Sequence, residues 1–189
     1  MEIIPFFKKI PELKELKRTG WRMEGIDGES VADHSFSLAL MALVYSRRLG
    51  LDSGKCTRMA LIHDLCEVYS KDIPRRSESG EWQQDAAWKL KAEEEGMKKV
   101  LGLLPPGLSK ELGSLWNEYN ERKTPEAKLV RDLDRLECCM QALHYARQGK
   151  GRDLSHFFED GDRDIKTPEI RKAFGKLSGD FRNLKRTIK

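Results

Sequence analysis

Apolar residues return every three or four positions along almost the whole chain, and no stretch alternates with period two over the length of a strand. The first such run, from Ile3 to about Lys17, places Phe6, Ile10, Leu13 and Leu16 at helical spacing. It breaks at "RTGW" (18–21), where Gly20 permits a sharp turn. A loop, "EGIDGE" (24–29), then leads to Ser30-Val31-Ala32-Asp33, a capping-box-like start. The helix it opens is expected to reach about Leu49 and is apolar almost all round (Phe36, Leu38, Leu40, Met41, Leu43, Val44). Such a helix belongs at the centre of a bundle. The pattern resumes from about Gly54 to Ser70, and "RRSESG" (75–80) reads as a polar loop at a surface or mouth. Helices are expected over 81–103 and 108–121, separated by "LLPPG". Thr124-Pro125-Glu126 and Thr167-Pro168-Glu169 each set a capping threonine before proline at the first helical position. The first opens a helix to about Gln148, and the second a last amphipathic helix carrying Ile170, Phe174, Leu177 and Phe181. The expected architecture is all-α: one helical bundle and one domain over residues 1–189.

Composition narrows this picture without changing it. The 189 residues suffice to bury a core, and with 35% charged and 39% hydrophobic residues the chain is polar but not of disordered type. The net charge of +4 arises from 35 basic and 31 acidic residues that are mostly interspersed. Such a surface tolerates anionic substrates but is no nucleic-acid footprint. Cys56, Cys66, Cys138 and Cys139 show no CxxC spacing and read as reduced, half-buried residues. The N-terminus does not have the pattern of a signal peptide, and the longest apolar run, "LALMALVY" (38–45), is far short of a membrane span. A soluble, cytoplasmic protein with no membrane or nucleic-acid partner is expected.

Chemistry enters at "ALIHDLCEVYSKDIP" (60–74). On a helix His63 and Glu67 share a face with Asp64 close by, among Met59, Ala60, Leu61, Ile62, Leu65 and Val68. Unpaired buried carboxylates are costly, so two acids and an imidazole in that setting ask for a cation. His34 poses the same question on the preceding helix, in line with Leu38, Met41 and Tyr45. Asp132, Asp134 and Glu137 interrupt a third apolar helix at "LVRDLDRLE" (129–137). Each cluster alone has a plain explanation, such as a hydrogen-bonded core histidine, a salt bridge, or an intrahelical pair of Asp132 with Arg135. Together they offer two imidazoles and two carboxylates, from separate helices, that a bundle could bring together. Spacing leaves open whether Asp132 or Asp134 belongs with them.

The order also matches a family. "ESVADHSF" (29–36), "ALIHDLCEVYSKDIP" (60–74) and "EAKLVRDLDRLE" (126–137), with "RTGW" (18–21) and "LWNEY" (115–119), resemble the HD-domain phosphohydrolases, and more closely their 5′-deoxynucleotidase branch. The resemblance spans roughly residues 13–147, with the metal-binding core at about 29–148. It implies one divalent metal held by His34, His63, Asp64 and Asp134, and so selects Asp134. Mixed imidazole and carboxylate donors suit Mn²⁺, Fe²⁺, Co²⁺ or Zn²⁺. It further implies Glu67 as the group that orients water or shuttles a proton, and Asp72 as a contact to substrate or to the metal's water shell. Arg18 would meet the phosphate, and Trp21 would pack beside the sugar and set a preference for deoxyribose. Two departures stand out. The family carries Arg directly before Trp, whereas Thr19 and Gly20 separate them here, and Lys71 stands where relatives commonly have glycine. Lys71 therefore either disfavours the usual turn or adds charge near the phosphate.

The expected activity is metal-dependent hydrolysis of nucleoside 5′-monophosphates, with deoxyribonucleotides favoured, by a homodimer whose apolar surface comes from the terminal amphipathic helices. Rivals are an HD-domain enzyme acting on cyclic nucleotides, nucleoside triphosphates or guanosine polyphosphates, and a non-catalytic metal- or nucleotide-binding module. A zinc peptidase is excluded, because "HDLCE" (63–67) is no HExxH.

Overall fold

The computed structural model describes residues 2–74 and 86–187. The expected loop at 75–80, with Arg75 and Arg76, and residues 81–85 lie outside the described residues. In chain order the helices are α1 (Ile4–Phe7), α2 (Ile10–Glu15), α3 (Thr19–Met23), α4 (Val31–Leu49), α5 (Ser53–Ile62) and α6 (Glu67–Ser70). They continue as α7 (Ala86–Leu101), α8 (Pro106–Glu121), α9 (Pro125–Arg147), α10 (Ser155–Asp164) and α11 (Pro168–Thr187). Among the described residues the extended backbone amounts to a single antiparallel bridge, Lys17 with Ser30.

The expected start signals of α4 and α9 form as read. Ser30 Oγ accepts from the Asp33 amide at 3.1 Å while Asp33 Oδ2 accepts from the Ser30 amide at 2.9 Å, closing the capping box of α4. Thr124 caps α9 through the Ala127 amide, with Pro125 at the first position. The expected helix over residues 3–17 is instead two short ones, because Pro11 has no amide to continue the ladder and restarts it as α2. "RTGW" is not a mere break, since Thr19–Met23 makes a turn and a half of helix. Between residues 148 and 167 the chain forms α10, whose sequence "SHFFEDGDRD" hides a helix behind a mid-segment glycine and only two large apolar residues.

The centre of the bundle is α9, not α4. Helices α4, α5, α8, α10 and α11 all pack on α9, which buries apolar residues from Ala127 to Tyr145. Helix α4 buries Leu38, Ala39 and Ala42 against α5 and α9 but leaves Phe36 64%, Leu40 49% and Val44 63% exposed. Its apolar circumference therefore divides into a core face and an outward stripe. Helix α11 spends its apolar face internally, with Ile170, Phe174 and Phe181 buried and Phe158 of α10 stacked on Phe181 at 4.1 Å.

Candidate metal centre and substrate cleft

His63 and Asp64 sit where a helix fails to continue. α5 ends at Ile62, α6 begins at Glu67, and the intervening amides bond three residues back: Leu65 to Ile62 at 3.1 Å and Glu67 to Asp64 at 3.0 Å. The reason lies in α8. Trp116 Nε1 donates to the His63 carbonyl at 3.0 Å, occupying the acceptor that a continuous helix would offer to Glu67. The ladder tightens to three residues per turn, as short interruptions at functional sites commonly do. The expected unbroken helix from Gly54 to Ser70 is thus corrected to two helices with the histidine and aspartate at the joint.

Among the described residues three sets of metal-competent donors share His34, one of them with Glu29 and Glu137. One ligand atom each from His34, His63 and Asp64 lie within 4.8 Å of one another, and so do atoms of His34, Asp134 and Cys138. His34 Nε2 is 3.4 Å from Asp134 Oδ1, and His63 Nε2 is 2.9 Å from Asp64 Oδ2. Despite those distances neither Nε2 is aligned in a hydrogen bond, and both are buried. The opposite ring nitrogens are engaged: His34 Nδ1 donates to Glu137 Oε2 at 2.6 Å, and His63 Nδ1 to the Ala60 carbonyl at 2.7 Å. Anchoring Nδ1 turns the Nε2 lone pair inward, the arrangement that orients imidazole ligands toward a metal. Two bare imidazole nitrogens beside two carboxylates form a donor set that fits a divalent transition ion.

The electrostatics of the metal-free site point the same way. Burial and the Arg18 charge oppose protonation of His34, but Glu137 and Asp134 outweigh them and hold its pKa well above the ordinary range. Burial also works against ionising Asp134, yet Arg135 and His34 hold its carboxyl well below the usual range. Asp64 is likewise held low by His63 against the cost of burial. Glu67 goes the other way: burial, then the charges of Asp64 and Asp72, push its carboxyl well above the ordinary range, and its Oε2 has no hydrogen-bond partner.

His63, Asp64, Glu67 and Asp134 line a cleft of about 1270 Å³, ample for a mononucleotide, with His34 buried behind them. Arg18, Trp21, Glu67, Asp72 and Asp134 all line it, whereas Lys71 is exposed and outside its lining. The bridge between Lys17 and Ser30 carries Arg18 beside the start of α4. There the Arg18 guanidinium meets Glu29 at 3.1 Å, His34 Nδ1 at 3.2 Å and Cys138 Sγ at 3.5 Å. Trp21 is 1% exposed, stacked on Phe157 at 4.2 Å and edge-on to Tyr145, so it presents little more than an edge to the cleft. Asp72 ties the segment down: its carboxylate accepts from the Thr19 amide, and its carbonyl accepts from Thr19 Oγ1 at 2.8 Å.

The choice that spacing left open is decided by packing. Asp132 accepts from the backbone amides of Lys166 and Thr167 at 2.9 and 2.6 Å and anchors the entry to α11, away from the histidines. No pair forms between Asp132 and Arg135; Arg135 bonds Asp134 Oδ2 at 3.2 Å instead. Sequence reasoning noted Glu137 and "LWNEY" without giving them work, read Arg135 only as an intrahelical partner of Asp132, and passed over Phe157 and Arg131. The available signal was positional, since Glu137 lies one turn beyond Asp134 on an otherwise apolar helix. All four cysteines are free and buried, with Cys138 turned to Arg18 and Cys139 to the Phe157 carbonyl.

A family model described as HD domain matches residues 10–172. The chain is 36% identical over 170 residues to 5′-deoxynucleotidase HDDC2 of Danio rerio, covering 89% of this chain and 82% of that protein. It is 34% identical over 181 residues to 5′-deoxynucleotidase HDDC2 of Homo sapiens, covering 94% and 85%. The crystal structure of PH0347 protein from Pyrococcus horikoshii OT3 superposes with a TM-score of 0.77 at 32% identity, covering 94% of this chain and 99% of that one.

Proposed function

Because this chain belongs to the HD-domain family, we propose that it releases phosphate from nucleoside 5′-monophosphates, with deoxyribonucleotides favoured, as a single-domain cytoplasmic enzyme that depends on a divalent transition metal. The activity comes from the relatives that bear the name 5′-deoxynucleotidase. The observation that carries it in this chain is the pair of buried, unpartnered Nε2 atoms set against Asp64 and Asp134, with the unpartnered Glu67 Oε2 in the same cleft.

His34, His63, Asp64 and Asp134 would hold one ion of the Mn²⁺, Fe²⁺, Co²⁺ or Zn²⁺ type. When bound, it supplies Lewis-acid activation of water and of the phosphoryl oxygen. The remaining work falls to the protein. Glu67, whose carboxyl is pushed up by burial and then by the charges of Asp64 and Asp72, takes the proton of the attacking water. As the ester P–O bond breaks, the nucleoside 5′-oxygen receives that proton from Glu67. Asp72 fixes the Arg18–Thr19 segment, and with the Trp21 edge these residues build the wall on which the sugar rests. Arg18 also offsets the charge of Glu29 and Glu137 behind His34. A homodimer is part of this reading, and the exposed stripe of α4 (Phe36, Leu40, Val44) is the surface that a second copy would cover. A monomer by sedimentation at micromolar concentration would remove that element alone.

The test is a panel of nucleoside mono-, di- and triphosphates and cyclic nucleotides assayed with Mn²⁺ or Co²⁺. Release of phosphate from 5′-deoxynucleoside monophosphates is expected; turnover of triphosphates without monophosphates overturns the substrate assignment. In Glu67→Ala, turnover is expected to fall by about 100-fold or more with metal content unchanged by elemental analysis. Unchanged turnover in that variant removes Glu67 from the mechanism.

A further inference from the structure

One wall of the cleft carries more positive charge than its neighbours balance. It holds Arg122, at the C-terminal end of α8, and Arg131 and Arg135, one turn apart on the same side of α9. Among the described residues no carboxylate lies within ion-pair distance of Arg122 or Arg131; Arg131 instead lies over the Tyr119 ring, 4.7 Å from its centroid. Arg135 has one carboxylate partner, Asp134 Oδ2 at 3.2 Å, and must share that oxygen with the Tyr119 hydroxyl, also at 3.2 Å. Asp134 is the carboxylate whose other oxygen, Oδ1, faces His34 Nε2. A cation in that donor set would draw on the one carboxylate in contact with these arginines, while Glu93 and Asp164 act on Arg131 and Arg122 from further off. Burial and then the charges of Arg131 and Arg135 hold the Arg122 pKa below its ordinary value against Tyr119 and Asp164, whereas Asp134 and Tyr119 raise those of Arg131 and Arg135. Arg18 is the contrasting case, since Glu29 at 3.1 Å and Glu137 at 3.8 Å neutralise it within the protein.

An unbalanced cationic wall in a half-buried cleft is a site for an anion. We propose that Arg131 and Arg135 bind the 5′-phosphate that is to be cleaved and hold the phosphate product, so that these residues of α9, rather than Arg18, are the principal phosphate contacts. The inference rests on the nucleotidase reading for the identity of the substrate, but not for the phosphate site. Planar guanidinium forks match phosphate oxygens in pairs, which a lysine cannot do. Their place one residue and one turn from Asp134 sets the phosphate-binding groups and the metal-binding groups on a single rigid helix.

The experiment is calorimetric titration of metal-loaded protein with inorganic phosphate, alongside phosphate inhibition and KM for a nucleoside 5′-monophosphate. Arg131→Gln and Arg135→Gln are each expected to weaken phosphate binding about tenfold, with KM rising in step. Arg135→Lys should recover part of the loss. Metal content and thermal midpoint should stay at wild-type values in Arg131→Gln, which decides the matter should Arg135→Gln disturb Asp134. Phosphate affinity undiminished in both variants, or absent from the wild type, overturns the proposal. Arginine-dependent phosphate binding without hydrolysis of any monophosphate would uphold this site and sink the nucleotidase reading. Hydrolysis with arginine-independent phosphate binding would do the reverse.

Discussion

Lys71 shows how one residue can carry a cost that its neighbours impose. Its φ of 64° and ψ of 166° lie in a region that side chains with a Cβ rarely adopt. The conformation reverses the chain after α6 and delivers Asp72 to the Thr19 amide, so the surrounding structure enforces it. Since its side chain is exposed and outside the cleft lining, the charge is not what keeps the residue in place. Replacing it should therefore relieve strain. Lys71→Gly is expected to stabilise the protein by about 1 kcal/mol, once the greater freedom of glycine in the unfolded chain is set against about 1–3 kcal/mol of strain. Thermal denaturation would show this as a midpoint raised by about 2–4 °C. A lower midpoint, or a raised KM, would return the lysine to the site.

At the scale of elements, close approach between helices decides where Glu67 stands. A Cβ placed on Gly96 of α7 would come within 2.6 Å of the Cys66 carbonyl oxygen, immediately before α6. That atom is backbone and cannot swing away. Gly175 of α11, by contrast, has open space around it. The same substitution should thus act with opposite signs. Gly96→Ala is expected to destabilise by about 1–3 kcal/mol through overpacking, and to lower turnover because α6 carries Glu67. Gly175→Ala should stabilise by up to about 1 kcal/mol through helix propensity alone. Chemical denaturation of the pair checks both; a neutral Gly96→Ala would mean that α6 and α7 are not held as tightly as the backbone distance requires.

For the molecule as a whole, the buried charges make stability depend on metal and on pH together. His34 and Glu67 both have raised folded-state pKa values. The folded chain therefore keeps protons that the unfolded chain sheds above about 4.3 for Glu and about 6.5 for His, and stability is lost as pH rises. Asp64 and Asp134, held low, act oppositely, with stability present above about 3.9 and lost as pH falls. The metal-free protein should accordingly be more stable near pH 6 than near pH 8.5, because the two depressed carboxylates titrate below that window. Metal binding requires His34 to give up its proton, so affinity for Co²⁺ or Mn²⁺ should strengthen over the same window. Free metal at about 100 times its Kd should raise the thermal midpoint by about 5–10 °C. A chelator without effect on the midpoint at any pH would contradict the donor set. Among the described residues no helix is long and apolar enough to cross a membrane.

The sequence by itself determined the helical class, the caps of α4 and α9 and the three segments that carry the donors, because these rest on periodicity and on residue types at short range. Even the family resemblance works through such local strings. What only the tertiary structure decided depends on contacts between segments far apart in the chain. Trp116 interrupts the helix at His63 from 53 residues away. Asp132 is drawn off to the amides of Lys166 and Thr167, 34 and 35 residues on, while Asp134 two positions later turns to His34. Helix α4, apolar on nearly every side, was expected at the centre of the bundle and is not there, since periodicity says that a face is apolar but not which neighbour arrives to cover it. Arg135 read as an intrahelical partner of Asp132, and nothing in the pattern singled out Arg131, for an arginine's partner is set by what the fold brings within about 4 Å.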